Sequence, residues 1–171
     1  MKPIRNSAKA VIVQDGCLLL LRLHDQYGDA YVFPGGGQEK GEELKDAVAR
    51  ECLEEIGQAV QVGELLHVRE YIGAHHEFAE WDADIHQVEF YFACRLVDPD
   101  ASVFEGSNPD DHQVAVEWIA LEELSNIRSY PKTIGELLLE KGEQRIYLGD
   151  INEITFSKLS CLCSGSGIHH R

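Results

Sequence analysis

A mixed β-sheet with one central helix and one C-terminal helix, in an α+β or layered α/β/α arrangement, is the fold class the sequence predicts. Three observations carry it. Two apolar runs, AKAVIVQ (8–14) and CLLLLRL (17–23), meet across Asp15-Gly16. A stripe at helical spacing runs from Leu44 to Ile56, and later segments rich in β-branched and aromatic residues read as strands. The 171 residues suit one domain with a single core. It is expected over residues 1–160, with a mobile tail at 161–171 that ends SGSGIHHR.

Taken in order, Asp-Gly between two apolar runs is a strong short-range hairpin signal. After the polar HDQYGDA, the aromatic stub YVF (31–33) stops at Pro34 and leads into Gly35-Gly36-Gly37. Leu44, Ala47, Val48, Cys52 and Ile56 then form one helical stripe, and Gly57 is a natural stop. VGELLHVREYI (62–72) and IHQVEFYFACRL (85–96) read as strands parted by the His-rich loop AHHEFAEWDAD. DPDASVFEGSNPDD (98–111) is a loop, VAVEWIA (114–120) a strand, and PKTIGELLLEKG (131–142) a helix.

Composition narrows the function classes. Hydrophobic residues make up 44% and charged residues 26%, as in ordinary globular proteins. No apolar run approaches ~18 residues and no leader pattern opens the chain, so a cytoplasmic location without membrane association is expected. Five scattered cysteines give no disulfide framework, and Cys161-x-Cys163 lacks the second pair a soft-metal site needs. A net charge of -15 argues against a groove for long nucleic acid. It does not argue against phosphate, because carboxylates can hold a divalent cation that in turn holds the phosphate.

The stretch ARECLEEIG (49–57) carries the chemistry. Glu51 and Glu55 fall within about 40° of each other at ~100° per residue and bracket the inward direction of Leu44 and Val48, while Glu54 lies on the flank. An ionised carboxylate buried without a partner costs several kcal/mol. Arg50 can reach Glu54 at i,i+4, but one cation does not neutralise three anions. Hard oxygens from adjacent helical turns suit Mg²⁺, which typically takes one or two carboxylates, waters and a substrate phosphate.

Upstream residues sharpen this. Gly36, Glu42, Arg50, Glu51, Glu54, Glu55 and Gly57 fall in register with G-x5-E-x7-R-E-U-x-E-E-x-G-U, where U is a bulky aliphatic residue, and on these positions the chain resembles the Nudix hydrolases. Cys52 and Gln58 depart at the two aliphatic positions. The order of the flanking segments extends the resemblance over roughly residues 5–148. A P-loop is excluded because the lysine and hydroxyl after Gly41 are missing, and a Rossmann fingerprint fails at Lys40.

The resemblance implies the Nudix fold, an α/β/α sandwich with a mixed sheet. It also implies hydrolysis, with Mg²⁺ or Mn²⁺, of a nucleoside diphosphate linked to another group, by water attack at phosphorus. A nucleoside triphosphate, an oxidised nucleotide or a nucleotide sugar falls in that class. By the same resemblance Glu51 and Glu55 are the principal metal ligands, joined by Glu54 and the Gly36 carbonyl. Arg50 orients the glutamates, Glu42 ties the loop to the helix, and Gly57 ends it. Glu54 is the expected proton acceptor, with Glu80, Asp82, Asp84 and Asp111 as sources on later loops.

From the residues themselves, Glu89, Phe33 and Tyr31 are the favoured substrate contacts, with Tyr27, Phe78 and Trp81 as further stacking candidates. His75, His76, His86 and His112 are candidate phosphate contacts. A homodimer is left open as an assembly. The alternative class is a nucleotide-sensing, non-catalytic module on the same fold, which would more naturally have lost one of the three glutamates.

Overall fold

The computed structural model describes residues 2–140 and 145–151. The tail expected at 161–171, the Cys161/Cys163 pair and the last two residues of the expected C-terminal helix lie outside them.

Asp15 and Gly16 take φ of 50° and 77°, the paired positive values that a two-residue type I′ turn requires. They join β1 (Arg5–Gln14) to β2 (Cys17–Asp25). Next come β3 (Gly28–Val32), β4 (Gly35–Gly37) and α1 (Leu44–Ile56), whose bounds are those the sequence predicts. β5 (Val60–Ile72) and β6 (His86–Leu96) follow, parted by a short 3₁₀ turn, Gly73–His75, and one turn of helix, α2 (Ala79–Asp82). β7 (Gln113–Ala120), a 3₁₀ segment Leu121–Asn126, β8 (Ser129–Tyr130), α3 (Lys132–Leu139) and β9 (Tyr147–Gly149) complete the order.

The strands form one curled mixed sheet in the order β8-β3-β2-β1-β6-β5-β9, with β4 pairing β1 and β7 pairing β2. β1 changes partner along its length. Its first half runs antiparallel to β4 on one edge, and its end turns to β2 on that same side, while β6 lies parallel along the other edge. That exchange lets a strand built only of glycines join the sheet beside the helix that follows it.

Strand alternation divides the core between two faces. Ala8, Ala10, Ile12, Leu19, Leu21, Phe92 and Cys94 pack with Ala47, Val48, Cys52 and Ile56 of α1. Val11, Leu18, Leu20, Phe33 and Tyr91 pack with Ile134 of α3 on the opposite face. The run LLLL in β2 is therefore buried on both sides, two leucines to each helix. This is the layered α/β/α arrangement.

Two differences from expectation are physical. Gly35–Gly37, for which the sequence predicts no strand, is one, because its backbone pairs with Ser7, Ala8 and Lys9 although it has no side chains to signal alternation. Tyr130-Pro131 is a cis peptide that ends the two-residue β8, parallel to β3, where α3 begins. Long-range pairing alone makes that strand.

Candidate active site

α1 presents its carboxylates to β4 in three different settings. Glu55 is 1% exposed, and its Oε2 accepts a 2.7 Å hydrogen bond from the Gly35 N–H, while its Oε1 has no partner. Desolvation pushes the Glu55 carboxyl up to about 8, against the pull of Lys9 and the Gly35 N–H, and Asp110 adds to the push. Glu51 and Glu54 sit at the rim, with side chains 13% and 31% exposed.

Arg50 organises that rim. Its Nε and Nη2 donate to the two oxygens of Glu42 at 2.9 and 3.1 Å, its Nη1 to Glu51 at 2.9 Å and Glu54 at 3.3 Å, and Nη2 also to the Gly37 carbonyl at 3.0 Å. These bonds raise the Arg50 pKa, Glu42 foremost. Glu42 in turn accepts from the Glu39 N–H at 3.0 Å, and Arg50 with that N–H holds its carboxyl below the usual range. The loop after β4 is thereby fixed to the middle of the helix by charge-assisted, partly bidentate bonds.

Gly36 stands against Glu51: a Cβ there would lie 2.5 Å from the Glu51 carboxylate. Its carbonyl accepts from the Ser7 hydroxyl at 3.1 Å. At the other end, Gly57 closes α1 in the left-handed conformation with φ of 69°. The loop at 98–112 and the first residue of β7 satisfy the helix end, with Asn108 N–H donating to the Glu54 carbonyl and the Gln113 side-chain amide to that of Glu55. Gln58, where a bulky aliphatic residue is expected, donates to the Val103 carbonyl at 2.8 Å and joins the same loop to the helix exit.

The donor set fits a hard divalent cation. One buried carboxylate oxygen lacks any partner, and Glu51 and Glu54 each spend only one oxygen on Arg50. Among the described residues no three His, Cys, Asp or Glu side chains converge into a cluster. Arg50 Nη1 gathers Glu51 and Glu54 at the rim, while Glu55 is held on the Gly35 N–H.

The substrate candidates divide. A cleft of about 190 Å³ opens on the face opposite α1, and Lys9, Phe33, Arg69, Phe78, Glu89 and Tyr91 are among its walls. Lys9 links it to the carboxylates, since its Nζ donates to the Gly35 carbonyl beside Glu55. Glu89 and Phe33 are thus in the cleft, whereas Tyr31 donates to Glu117 at 3.3 Å and does not line it. Phe78 and His76 line it, while Tyr27 and Trp81 are exposed away from it. His75 and His76 both contact Asp150, and His86 contacts Glu70. Of the later carboxylates, Asp82 accepts from Tyr71 and Asp84 pairs with Lys2, while Glu80 and Asp111 are exposed.

Sequence reasoning passed over Lys9, Arg69 and Asp110. Lys9 carried a signal, a cation set between Ala8 and Ala10 in a predicted strand, whereas Arg69 stands among the polar residues His67 and Glu70 of its own strand.

Comparison with known proteins gives one answer. The NUDIX domain family model matches residues 3–139. A Xenopus laevis protein, nucleoside diphosphate-linked moiety X motif 6, is 28% identical over 153 residues, which is 87% of this chain but 66% of the frog protein's length. Nucleoside triphosphatase NudI of Salmonella newport is 27% identical over 129 residues, 67% of this chain and 81% of its own. The crystal structure of a MutT NUDIX hydrolase from Burkholderia pseudomallei superposes with a TM-score of 0.63 at 26% identity, covering 81% of this chain and all of that one. An ADP-ribose pyrophosphatase from Streptococcus suis has the same fold, with a TM-score of 0.58 at 20% identity over 86% of this chain and 100% of its own.

Proposed function

The chain belongs to the Nudix hydrolase family, and on that premise we propose that it hydrolyses the diphosphate bond of a nucleoside diphosphate linked to a second group, with Mg²⁺ or Mn²⁺. The substrate class is a nucleoside triphosphate, an oxidised nucleotide or a nucleotide sugar, handled by a single domain over residues 1–160. No described helix is long and apolar enough to cross a membrane.

One observation carries the reading: Arg50 holds Glu51 and Glu54 at the rim beside Gly36 while a buried Glu55 oxygen stays unpartnered. A buried oxygen left without a partner supports a role for Glu55 in holding a cation. Glu51, Glu54, Glu55 and the Gly36 carbonyl would hold the cation, which when bound neutralises phosphate charge and acidifies water. Arg50 fixes the directions of Glu51 and Glu54 through the bonds it shares with Glu42. Glu54, the most exposed of the three, takes the proton of the attacking water as the new P–O bond forms and the bridging P–O bond breaks. Lys9, at the junction of cleft and carboxylates, offsets charge on the substrate, and Glu89 and Phe33 contact the nucleoside.

The test is Glu51→Gln. Turnover of nucleoside triphosphates, nucleotide sugars and ADP-ribose with Mg²⁺ should fall by at least about a hundredfold, with an unchanged thermal transition. Full activity in that variant defeats the proposal.

A further inference from the structure

Arg69 and Glu89 are an ion pair that packing alone does not explain. Both are over nine-tenths buried, at 6% and 8% exposure, and both line the cleft. A buried pair of this kind is often no more stabilising than apolar residues of the same volume. The Arg69 Nη1 donates to Glu89 Oε2 at 2.8 Å, and the Tyr91 hydroxyl donates to the same oxygen at 2.7 Å. Burial and the Glu89 charge raise the Tyr91 pKa well above its usual value, so this hydroxyl remains a donor. Oε2 is thus saturated, and Glu89 Oε1 accepts no hydrogen bond among the described residues. The Arg69 Nε has no partner either.

Strand register puts these groups in a line. Gly37 pairs with Ser7, Ser7 with Glu89, and Glu89 with Arg69, across β4, β1, β6 and β5. At about 4.8 Å per strand, Glu89 lies about 10 Å and Arg69 about 14 Å from the glycine strand that touches Glu51. An acceptor-only side chain comes first and a donor-only side chain second, counted outward from the carboxylates.

We propose that this row selects a nucleobase with a lactam edge, a ring N–H followed outward by a carbonyl, as in guanine, hypoxanthine, uracil and thymine, over adenine and cytosine. The direction rests on the hydrolase reading, which places the phosphates at Gly36 and Glu51. A nucleotide entering from there in the anti conformation brings the middle of its pairing edge to Glu89 and its outermost exocyclic group to Arg69. Guanine offers N1–H and then O6, and uracil N3–H and then O4, so each donor meets the carboxylate and each carbonyl meets the guanidinium. Adenine offers a bare N1 and then an amino group, and cytosine a bare N3 and then an amino group. Acceptor would face acceptor and donor would face donor, a mismatch that buried polar groups penalise heavily. Phe78 and Tyr130, edge to face at 5.4 Å, form the aromatic wall beside the row.

Titration calorimetry of the intact chain with GMP, IMP, UMP, AMP and CMP tests this apart from hydrolysis. The first three should bind about tenfold to a hundredfold more tightly than AMP and CMP, and kcat/KM for the triphosphates should follow the same order. Changing only one partner would strand a buried charge, so the variant of choice is Arg69→Gln with Glu89→Gln, which should still melt cooperatively but lose the discrimination. AMP binding as tightly as GMP and UMP overturns the proposal, as does a folded double variant that keeps the wild-type order. If triphosphates are hydrolysed with no base order, only the base reading falls. If the monophosphate order holds but no diphosphate compound is cleaved, only the hydrolase reading falls.

Discussion

Of the three glutamates on α1, Glu55 alone is sealed from solvent, with one oxygen on the Gly35 N–H and the other on nothing. Its folded pKa of about 8 lies above the ordinary value of 4.5, so its effect on stability has a definite sign. Below about pH 4.5 both folded and unfolded chains hold the proton. As pH rises toward 8 the unfolded chain releases it and the folded chain does not, so stability is lost across that window. The loss is on the order of a few kcal/mol. Glu55→Gln removes the titration while keeping an acceptor for Gly35. In EDTA, wild type should melt lower at pH 9 than at pH 5 by a clearly larger margin than the variant does, and the variant should have lost turnover. Equal margins would mean that the Glu55 carboxyl ionises freely in the folded chain.

At the scale of elements, two glycines flank α1 and serve opposite ends. A Cβ on Gly36 would meet the tip of the Glu51 side chain, which can move aside at little structural cost. A Cβ on Gly57 would strike the Glu105 backbone carbonyl, at a positive φ that side chains disfavour. Gly36→Ala should therefore leave the melting temperature nearly unchanged and lower kcat by about a hundredfold, since a misplacement near 1 Å is enough for that. Gly57→Ala should show the reverse, a loss of about 1–3 kcal/mol with kcat per folded molecule less affected. Measuring kcat and thermal melts on both variants decides it, and a stable, fully active Gly36→Ala would remove Gly36 from the site. The same contrast shows what could be read from the sequence. α1 announced itself through the spacing of Leu44, Ala47, Val48, Cys52 and Ile56, and the Asp15-Gly16 hairpin through its turn chemistry. β4 was illegible because three glycines carry no alternation, and β8 because two residues become a strand only when β3 lies beside them. Arg69 and Glu89 were visible as charges within predicted strands, but their pairing depends on the β5–β6 register, which no local pattern encodes. The helical wheel likewise set Glu51 and Glu55 on one inward face, whereas the structure buries Glu55 and leaves Glu51 at the rim on Arg50.

For the whole molecule, the sheet separates two jobs. α1 and its carboxylates lie on one face and the cleft on the other, and Lys9 of β1 meets Gly35 of β4 between them. The chain holds both faces together while carrying 30 acidic and 15 basic side chains. Two electrostatic effects then compete as salt is added. Screening weakens ion pairs such as Lys2 with Asp84, which favours unfolding, and it weakens the mutual repulsion of the excess acid, which favours folding. At 10 mM salt the screening length is about 30 Å, comparable to the molecule itself, so repulsion is felt across the whole chain. The exposed pairs are worth little to begin with, and the Arg50 and Arg69 pairs are sheltered from salt by their burial. Repulsion should win: in EDTA, the melting temperature rises by several degrees between about 10 and 150 mM NaCl and levels off near the upper concentration, where the screening length is about 8 Å. A melting temperature that falls over this range would show instead that exposed ion pairs outweigh the net charge in holding the two faces of the sheet together.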